Sequence, residues 1–142
     1  MIENVKKVVG AAFIEDGKLL IVQSKRSSRT NSWTFVGGGI EKGETEIEAC
    51  IREVGEEIHN NFTINESNLT PVMCFKESAA SDPTLTIEMN VFICNKKINV
   101  DLIPNEEILH YHWFKIGETE YNLSSSIRDH FLPFAIEKGL IF

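Results

Sequence analysis

Three glutamates, Glu53, Glu56 and Glu57, are spaced so that they fall on one face of a helix. At about 100° per residue, their carboxylates cluster away from the apolar stripe of the same segment. Like charges at such spacings destabilise an isolated helix by about 0.2–0.5 kcal/mol per pair unless a cation collects them. Carboxylate oxygens suit Mg²⁺ or Mn²⁺, which also take phosphate oxygens as ligands. The spacing therefore indicates a divalent-metal site, with a solvated acidic face as the alternative.

The surrounding sequence favours the metal site. From Glu41 to Glu57 the chain has seven glutamates and only two basic residues. The charges are therefore not interleaved with lysines, as they usually are on a solubilising face. Three consecutive glycines, Gly37–Gly39, lie directly upstream and let the backbone approach a ligand closely.

The helix that must carry these glutamates is expected from Glu46 to about Ile58. Apolar residues recur there at helical spacing, and Thr45 followed by Glu48 fits a capping box at the helix start. A second helix is expected over 124–138, where Pro133 should kink or split it.

Strand patterns surround the first helix. Runs rich in valine and isoleucine on either side of Asp16-Gly17 predict a hairpin. The expected strands cover 5–14, 18–24, 33–36, 69–77, 85–95 and 110–116, with a loop over 77–84. Strands, a helix, more strands and a final helix predict an α/β (α+β) domain with a mixed β-sheet and helices on both faces.

Length and charge limit the classes of function. At 142 residues we expect a single domain covering 1–142. A formal net charge of −7 argues against binding long DNA or RNA, because such binding requires many Lys and Arg to neutralise phosphates. The short apolar N-terminal run predicts neither a signal peptide nor a membrane span, so a cytoplasmic location is expected. Three cysteines without CxxC spacing indicate reduced core residues.

The run from Gly38 to Glu57 resembles the Nudix box of the Nudix hydrolase (MutT-like) family. Its matching positions are Gly38, Glu44, Arg52-Glu53-Val54 and Glu56-Glu57. The resemblance implies a Nudix-like α/β/α sandwich that hydrolyses a nucleoside diphosphate linked to another group. It also implies Mg²⁺ as cofactor, with Mn²⁺ as a substitute, and homodimers are common among such domains.

By this resemblance Glu53, Glu56 and Glu57 bind the metal, assisted by the carbonyl of Gly38. Glu44 and Arg52 match positions that brace the loop against the helix, so their loss is expected to reduce activity through misplacement. The general base is Glu53 or Glu107, and the sequence leaves this choice open.

Substrate contacts are expected from the loop after the second strand and from its neighbours. The candidates are Arg26, Arg29, Trp33, Phe35, Gly37 and Asn122. The arginines could reach phosphates, although solvated loop bases are commoner. Trp33 and Phe35 could stack a nucleobase, with a place in the core as the alternative. Asn122 lies where some MutT-type members read a base edge.

Two departures from the family pattern concern packing and helix termination more than chemistry. The box usually ends in glycine and an aliphatic residue, where this chain has His59-Asn60. Asparagine tolerates left-handed backbone, so Asn60 or Asn61 is expected to terminate the helix. Val36 replaces a frequent proline before the glycines.

Within the family that this sequence resembles, we expect the substrates to be nucleoside triphosphates, oxidised ones included. These would be cleaved to nucleoside monophosphate and pyrophosphate. The subfamily residues typical of ADP-ribose and dinucleotide hydrolases are absent from 72–82. The alternatives are hydrolysis of ADP-ribose, nucleotide sugars or dinucleotides, and a catalytically silent nucleotide-binding sensor.

Overall fold

The computed structural model describes residues 4–79 and 82–142. Six strands and two α-helices form its framework. They are β1 (Asn4–Glu15), β2 (Lys18–Ser24), β3 (Val36–Gly39), α1 (Glu46–Ile58), β4 (Leu69–Ala79), β5 (Asp82–Cys94), β6 (Ile108–Phe114) and α2 (Leu132–Glu137). Short 3-10 turns cover Ser27–Thr30 and Glu66–Asn68, and a π-helical segment, Ser126–Phe131, leads into α2.

The strands form one mixed sheet in the order β4-β5-β1-β2-β6, with β3 added to β1. β1 runs parallel to β5, from the pair Asn4–Leu85 to the pair Phe13–Cys94. The other pairings are antiparallel. The predicted mixed α/β architecture is therefore confirmed.

The sheet has an apolar core on each face. α1 covers one face through Ala49, Cys50 and Val54, all fully buried. The π-helical segment and α2 cover the other face through Ile127, Phe131 and Ala135. Helices thus pack on both faces, as the sequence indicates.

The predicted helix bounds for α1 are confirmed, and its capping box is formed. The Glu48 amide donates to Thr45 Oγ1 at 3.1 Å, while the Thr45 amide donates to Glu48 Oε1 at 3.0 Å. Two otherwise unpaired amides at the helix start are thereby satisfied. The glutamates of the last two turns are consequently held at fixed positions along the helix.

The end of α1 differs from the expectation that an asparagine alone would terminate it. His59 itself has φ 63° and ψ −163°, and Asn60 and Asn61 follow with φ 55° and 64°. The combination at His59 belongs to a backbone region that is essentially restricted to glycine. This chain therefore keeps a glycine-type conformation at the position where it has lost the glycine.

Several strand predictions need correction. The strand predicted over 33–36 lies instead at Val36–Gly39, where backbone pairing to Val8–Ala11 extends into the glycines. Trp33 and Thr34 form only isolated bridges. The last strand begins at Ile108 and ends at Phe114, before the predicted 116. β4 and β5 also extend into the predicted loop 77–84, of which residues 80 and 81 lie outside the described range.

The prediction that all three cysteines lie in the core is wrong for one of them: Cys50 and Cys94 are buried, but Cys74 is exposed on β4. The hairpin turn and the split of the final helix are confirmed. Asp16 and Gly17 have φ 52° and 74°, as a tight hairpin turn requires. The final helix is split as Pro133 predicts, with π-helical backbone before it and Pro133 itself in the first turn of α2. Within residues 4–79 and 82–142, no helix is long and apolar enough to cross a membrane.

Candidate active site

Arg52 joins the glycine-rich segment to the glutamates of α1. Its Nε and one terminal nitrogen donate to the two oxygens of Glu44 at 2.8 and 2.9 Å, a bidentate pair. The same terminal nitrogen donates to the carbonyl of Gly39 at 3.0 Å. The other terminal nitrogen contacts Glu53 Oε1 at 2.9 Å and Glu56 Oε2 at 3.4 Å. One planar guanidinium thus fixes the loop, the helix and two carboxylates together.

Glu57 is anchored to the glycine segment directly. Only 7% of Glu57 is exposed, and its Oε1 accepts the amide hydrogen of Gly37 at 2.8 Å. Gly37 has φ 157°, and a Cβ there would lie 2.0 Å from the carbonyl oxygen of Val9. Because no other residue fits, glycine at this position is a steric requirement of the contact.

Gly38 leaves room for a carboxylate. A Cβ at Gly38 would lie 2.6 Å from Glu53 Oε1, well inside a normal contact distance. The missing side chain therefore lets the Glu53 carboxylate pack against the backbone of β3. The carboxylates of Glu53 and Glu57 consequently meet the glycine segment at neighbouring residues.

The pKa values of the carboxylates differ: that of Glu44 is lowered, whereas those of Glu53 and Glu57 are raised. Hydrogen bonds from Arg52 and the Glu41 amide lower the pKa of Glu44 to about 2. Burial instead raises the pKa of Glu53, against the opposing effect of Arg52. Burial raises the pKa of Glu57 well above its usual range, although the Gly37 amide opposes this shift. The negative charges of Glu56 and Glu107 add to both increases.

Glu107 reaches the site from the loop before β6. This loop is held by Asn105, whose Oδ1 accepts the amides of Glu107 and Ile108 at 2.9 Å each. Asn105 Nδ2 also donates to the hydroxyl of Tyr111 at 3.2 Å, and that hydroxyl donates to the backbone carbonyl of Glu57 at 2.5 Å. The loop is therefore linked to the last turn of α1.

The donor set fits a hard divalent cation. It consists of carboxylate oxygens, two of which carry raised pKa values because they are buried beside like charges. A cation would relieve this repulsion and replace the lost hydration. Among the described residues, however, no three His, Cys, Asp or Glu side chains are already arranged to coordinate a metal ion. The reason is local: Arg52 contacts Glu53 and Glu56, while Glu57 is turned towards the Gly37 amide.

Two connected clefts lie beside the glycine segment. The inner cleft, about 200 Å³, reaches Gly37 and Gly38. The serine cleft, about 360 Å³, is lined by Lys6, Val8, Arg26, Ser32, Thr34, Glu77, Ser78, Leu85, Ile87 and Ser124–Ser126. The two clefts share Val8, Thr34, Ser124 and Ser126. Together the two clefts therefore extend from Gly37 and Gly38 to Glu77.

Comparison with known proteins decides the family. The NUDIX domain model matches residues 5–133. The chain belongs to the NUDIX family. The resemblance read from residues 38–57 is thereby confirmed over nearly the whole chain.

Individual relatives agree with this assignment. The MutT protein of Methanosarcina mazei Go1 superposes with a TM-score of 0.72 at 23% identity, covering 97% of this chain and 98% of that one. The MutT NUDIX hydrolase of Burkholderia pseudomallei gives 0.71 at 20%, covering 95% and 98%. At these identities the likeness shows the fold.

A curated relative matches over a shorter stretch. The CTP pyrophosphohydrolase of Escherichia coli K12 is 36% identical over 61 residues, which are 42% of this chain and 45% of that protein. The chain spans less than half the length of the curated relatives it matches.

The structure brings some predicted substrate residues of this NUDIX domain to the clefts and places others elsewhere. Arg26 lines the serine cleft and Gly37 the inner cleft. Phe35 borders the inner cleft but is only 3% exposed and packs edge-on against Phe131 at 5.3 Å. Its stacking on a nucleobase is therefore disfavoured, because the ring is part of the core.

Three other predicted residues lie outside both clefts as the described residues define them. Arg29 is exposed on the Ser27–Thr30 turn. Trp33 packs with Tyr121, at a centroid distance of 5.3 Å, and with His110 and His112. Asn122 is exposed, and its Nδ2 donates to the carbonyl of Thr30 at 3.4 Å. Ser124 and Ser126, just after Asn122, line the clefts instead.

Sequence reasoning missed Tyr111, Asn105 and Glu77 as site candidates. Tyr111 and Asn105 act through contacts that join residues far apart in sequence, which no local pattern shows. Glu77 lies at the boundary between the predicted strand 69–77 and the predicted loop 77–84. The run Ser124–Ser126 before the final helix is the one local signal that could have drawn attention to this cleft.

A concavity larger than either cleft lies elsewhere on the NUDIX domain. It is an open depression of about 500 Å³ along β6, lined by Lys18, Leu102, Pro104 and His110–Trp113. No glutamate or aspartate is among these described lining residues. The candidate site is therefore assigned from its carboxylates and not from the size of a cavity.

Proposed function

We propose that this NUDIX domain is a divalent-cation-dependent hydrolase of nucleoside diphosphate derivatives. Nucleoside triphosphates are the proposed substrates, cleaved to nucleoside monophosphate and pyrophosphate. The supporting observation is the convergence of Glu53 and Glu57, both with raised pKa values, on the backbone of Gly37 and Gly38. Such perturbed carboxylates beside a cleft are typical of functional sites.

The proposed cation ligands are Glu53, Glu56, Glu57 and the carbonyl of Gly38, with Mg²⁺ as the proposed ion and Mn²⁺ as its substitute. When bound, the cation supplies charge neutralisation for the diphosphate and acidifies a coordinated water. Arg52 has to release Glu56, its longer contact at 3.4 Å, to free that carboxylate. Its bidentate bond to Glu44 keeps the glycine segment in place meanwhile.

The attacking water needs a proton acceptor, for which Glu53 and Glu107 are the proposed alternatives. Burial and the charges of Glu56 and Glu107 raise the pKa of Glu53 above its usual range, which favours general-base action. Glu107 is exposed, on a loop held by Asn105. The variants Glu53→Gln and Glu107→Gln distinguish them when kcat is measured at saturating cation, because loss of the base removes the acidic limb of the pH profile of kcat and loss of the other carboxylate leaves that limb in place.

Comparison with the relatives supports a small nucleotide as substrate. The Escherichia coli relative is a CTP pyrophosphohydrolase by name, so CTP belongs in the first assay. A negative formal charge of −7 also opposes binding of long nucleic acids. The proposed ligand therefore carries its phosphates to the carboxylates and its nucleoside into the clefts.

The test is a product-resolved assay of nucleoside triphosphates, nucleotide sugars, ADP-ribose and dinucleotides with Mg²⁺ and with Mn²⁺. We expect cation-dependent release of nucleoside monophosphate. Glu57→Gln is expected to abolish turnover and keep the fold, since Gln retains an acceptor for the Gly37 amide. Glu66→Gln serves as the matched control, because Glu66 is exposed and lies outside the box, on the Glu66–Asn68 turn. Full turnover by Glu57→Gln, or in excess chelator, would refute the proposal.

A second candidate function is nucleotide binding without turnover. It is favoured by one observation, that Arg52 already contacts Glu53 and Glu56 so that no cage is preformed among the described residues. This candidate predicts nucleotide binding by calorimetry together with no product from any substrate. Product release at an ordinary enzymatic rate excludes it.

A further inference from the structure

Glu77 lies at the far end of the serine cleft from the glycine segment. It belongs to β4, where it pairs with Ile87 of β5, and its side chain is 22% exposed. The carboxylate lines the cleft together with Ser124, Ser125 and Ser126. The serine cleft shares Val8, Thr34, Ser124 and Ser126 with the inner cleft, which reaches Gly38.

Two hydroxyl donors orient this carboxylate, and an imidazole lies beside it. Oε1 accepts the hydroxyls of Ser125 at 2.8 Å and Ser126 at 3.1 Å. Oε2 lies 3.4 Å from Nε2 of His130, whose ring is stacked on Phe75 at 3.8 Å. A carboxylate has about four acceptor positions, so Oε2 keeps the capacity to accept a further hydrogen bond.

The two ends of the clefts have different charge character. Lys6 and Arg26 line the serine cleft on the side of β1 and the Ser27–Thr30 turn, and Lys6 Cε lies near Gly39, 3.6 Å from the position of a Cβ there. Cations beside the glycines suit phosphates. An oriented acceptor at the other end suits a hydrogen-bond donor of the nucleoside.

We propose that Glu77 is a specificity-determining residue that selects nucleotides whose base carries an exocyclic amino group. Cytosine and adenine present an amino donor where uracil and hypoxanthine present a carbonyl oxygen. An exocyclic amino group donates a hydrogen bond to the carboxylate. A carbonyl oxygen at the same position is itself an acceptor, so it forms no hydrogen bond with the carboxylate. This inference rests on the proposed hydrolysis of nucleotides by the same site.

A structural role for Glu77 is the competing explanation, because its hydrogen bonds join β4 to the start of the final helix. If this role were the only one, the hydrogen bonds would contribute to stability, and their loss would change kcat/KM equally for all nucleotides. Discrimination between an amino and an oxo base is therefore the measurement that separates the two roles.

The experiment compares kcat/KM of the full chain for CTP against UTP and for ATP against ITP, with Mg²⁺. Sites built to hydrogen-bond a substrate group discriminate strongly against analogues lacking it, so we expect the amino member of at least one pair to be preferred by about 10-fold or more. In Glu77→Gln that ratio should fall to within about 3-fold, because an amide both donates and accepts. Glu137→Gln, exposed on α2, should keep the wild-type ratio.

Two results overturn the inference: a wild-type ratio near one in both pairs, or an unchanged ratio in a folded Glu77→Gln. Folding is checked by thermal denaturation. If the variant does not fold, calorimetric titration of the wild type with CMP, UMP, AMP and IMP replaces it, and equal affinities within both pairs overturn the inference. Absence of hydrolysis of every nucleotide would instead refute the proposed function, so the two failures are distinguishable.

Discussion

Replacing His59 by glycine should stabilise the protein. His59 has φ 63° and ψ −163°, a region in which a non-glycine residue loses about 1–3 kcal/mol. Glycine removes this strain but gains conformational freedom in the unfolded chain, which offsets about 0.5–1 kcal/mol. The side chain is exposed, so little packing is lost. The net expected gain is about 1 kcal/mol, the balance of these terms.

The assay is thermal and urea denaturation of the cation-free protein. For a chain of this size, about 1 kcal/mol corresponds to a rise in Tm of about 4 °C. Measurement in about 0.5 M salt screens any interaction of the imidazole with the helix dipole. Asn60→Gly is the matched control: Asn60 also has positive φ, 55°, but asparagine tolerates left-handed backbone. A Tm unchanged or lowered by His59→Gly, or a larger gain at Asn60, would show that the strain argument is wrong.

Two further predictions concern the glycines and the buried carboxylate. Gly38→Ala should lower kcat at least about 10-fold, because the new Cβ would displace the Glu53 carboxylate. Its loss of stability should stay under about 1 kcal/mol, since that carboxylate can move. Gly37→Ala should destabilise the fold by more than about 2 kcal/mol, because its Cβ would meet the Val9 backbone carbonyl. Urea denaturation and activity assays measure both, and equal stability losses would contradict the distinction. Burial raises the pKa of Glu57 in the folded state well above its usual range. The folded state therefore binds more protons than the unfolded state at any pH above the ordinary pKa of a glutamate, about 4.3, and the free energy of unfolding in EDTA should fall as the pH rises above that value. Glu57→Gln should weaken this slope and be the more stable protein at pH 8; parallel pH curves would exclude the effect.

Local sequence signals predicted α1 well because its causes are local. The capping pair Thr45 and Glu48 and the apolar stripe lie within the helix, and the structure confirms the predicted bounds. β3 was placed wrongly because its position is set by pairing with β1, about 28 residues earlier, and not by its own propensity. Glycines weaken strand propensity, yet Gly37 and Gly38 lie in this strand, where the Val9 carbonyl and the Glu53 carboxylate leave no room for a Cβ.

In the candidate site, too, local contacts could be predicted from the sequence and contacts between distant residues could not. The box glutamates and Arg52 could be named from spacing alone, since they lie within one helix and one loop. The link from Asn105 through Tyr111 to Glu57 crosses 54 residues at its last step, and the contact of Glu77 with Ser125 crosses 48. Such contacts follow from the sheet order, which the sequence pattern does not specify. Trp33 and Asn122 were selected by position in the chain, and the fold directs them elsewhere.

The parallel pairing of β1 with β5 has a consequence for how the chain folds as it is made. β1 ends at Glu15, but its parallel neighbour is complete only at Cys94. Until then the central strand has antiparallel partners on one side alone, and its other edge is open to pairing with foreign strands. Sequence-distant pairing of this kind slows folding. Emergence of β5 from the ribosome therefore sets the earliest moment at which the sheet behind α1 can close. Nascent chains shorter than this are the ones most exposed to aggregation.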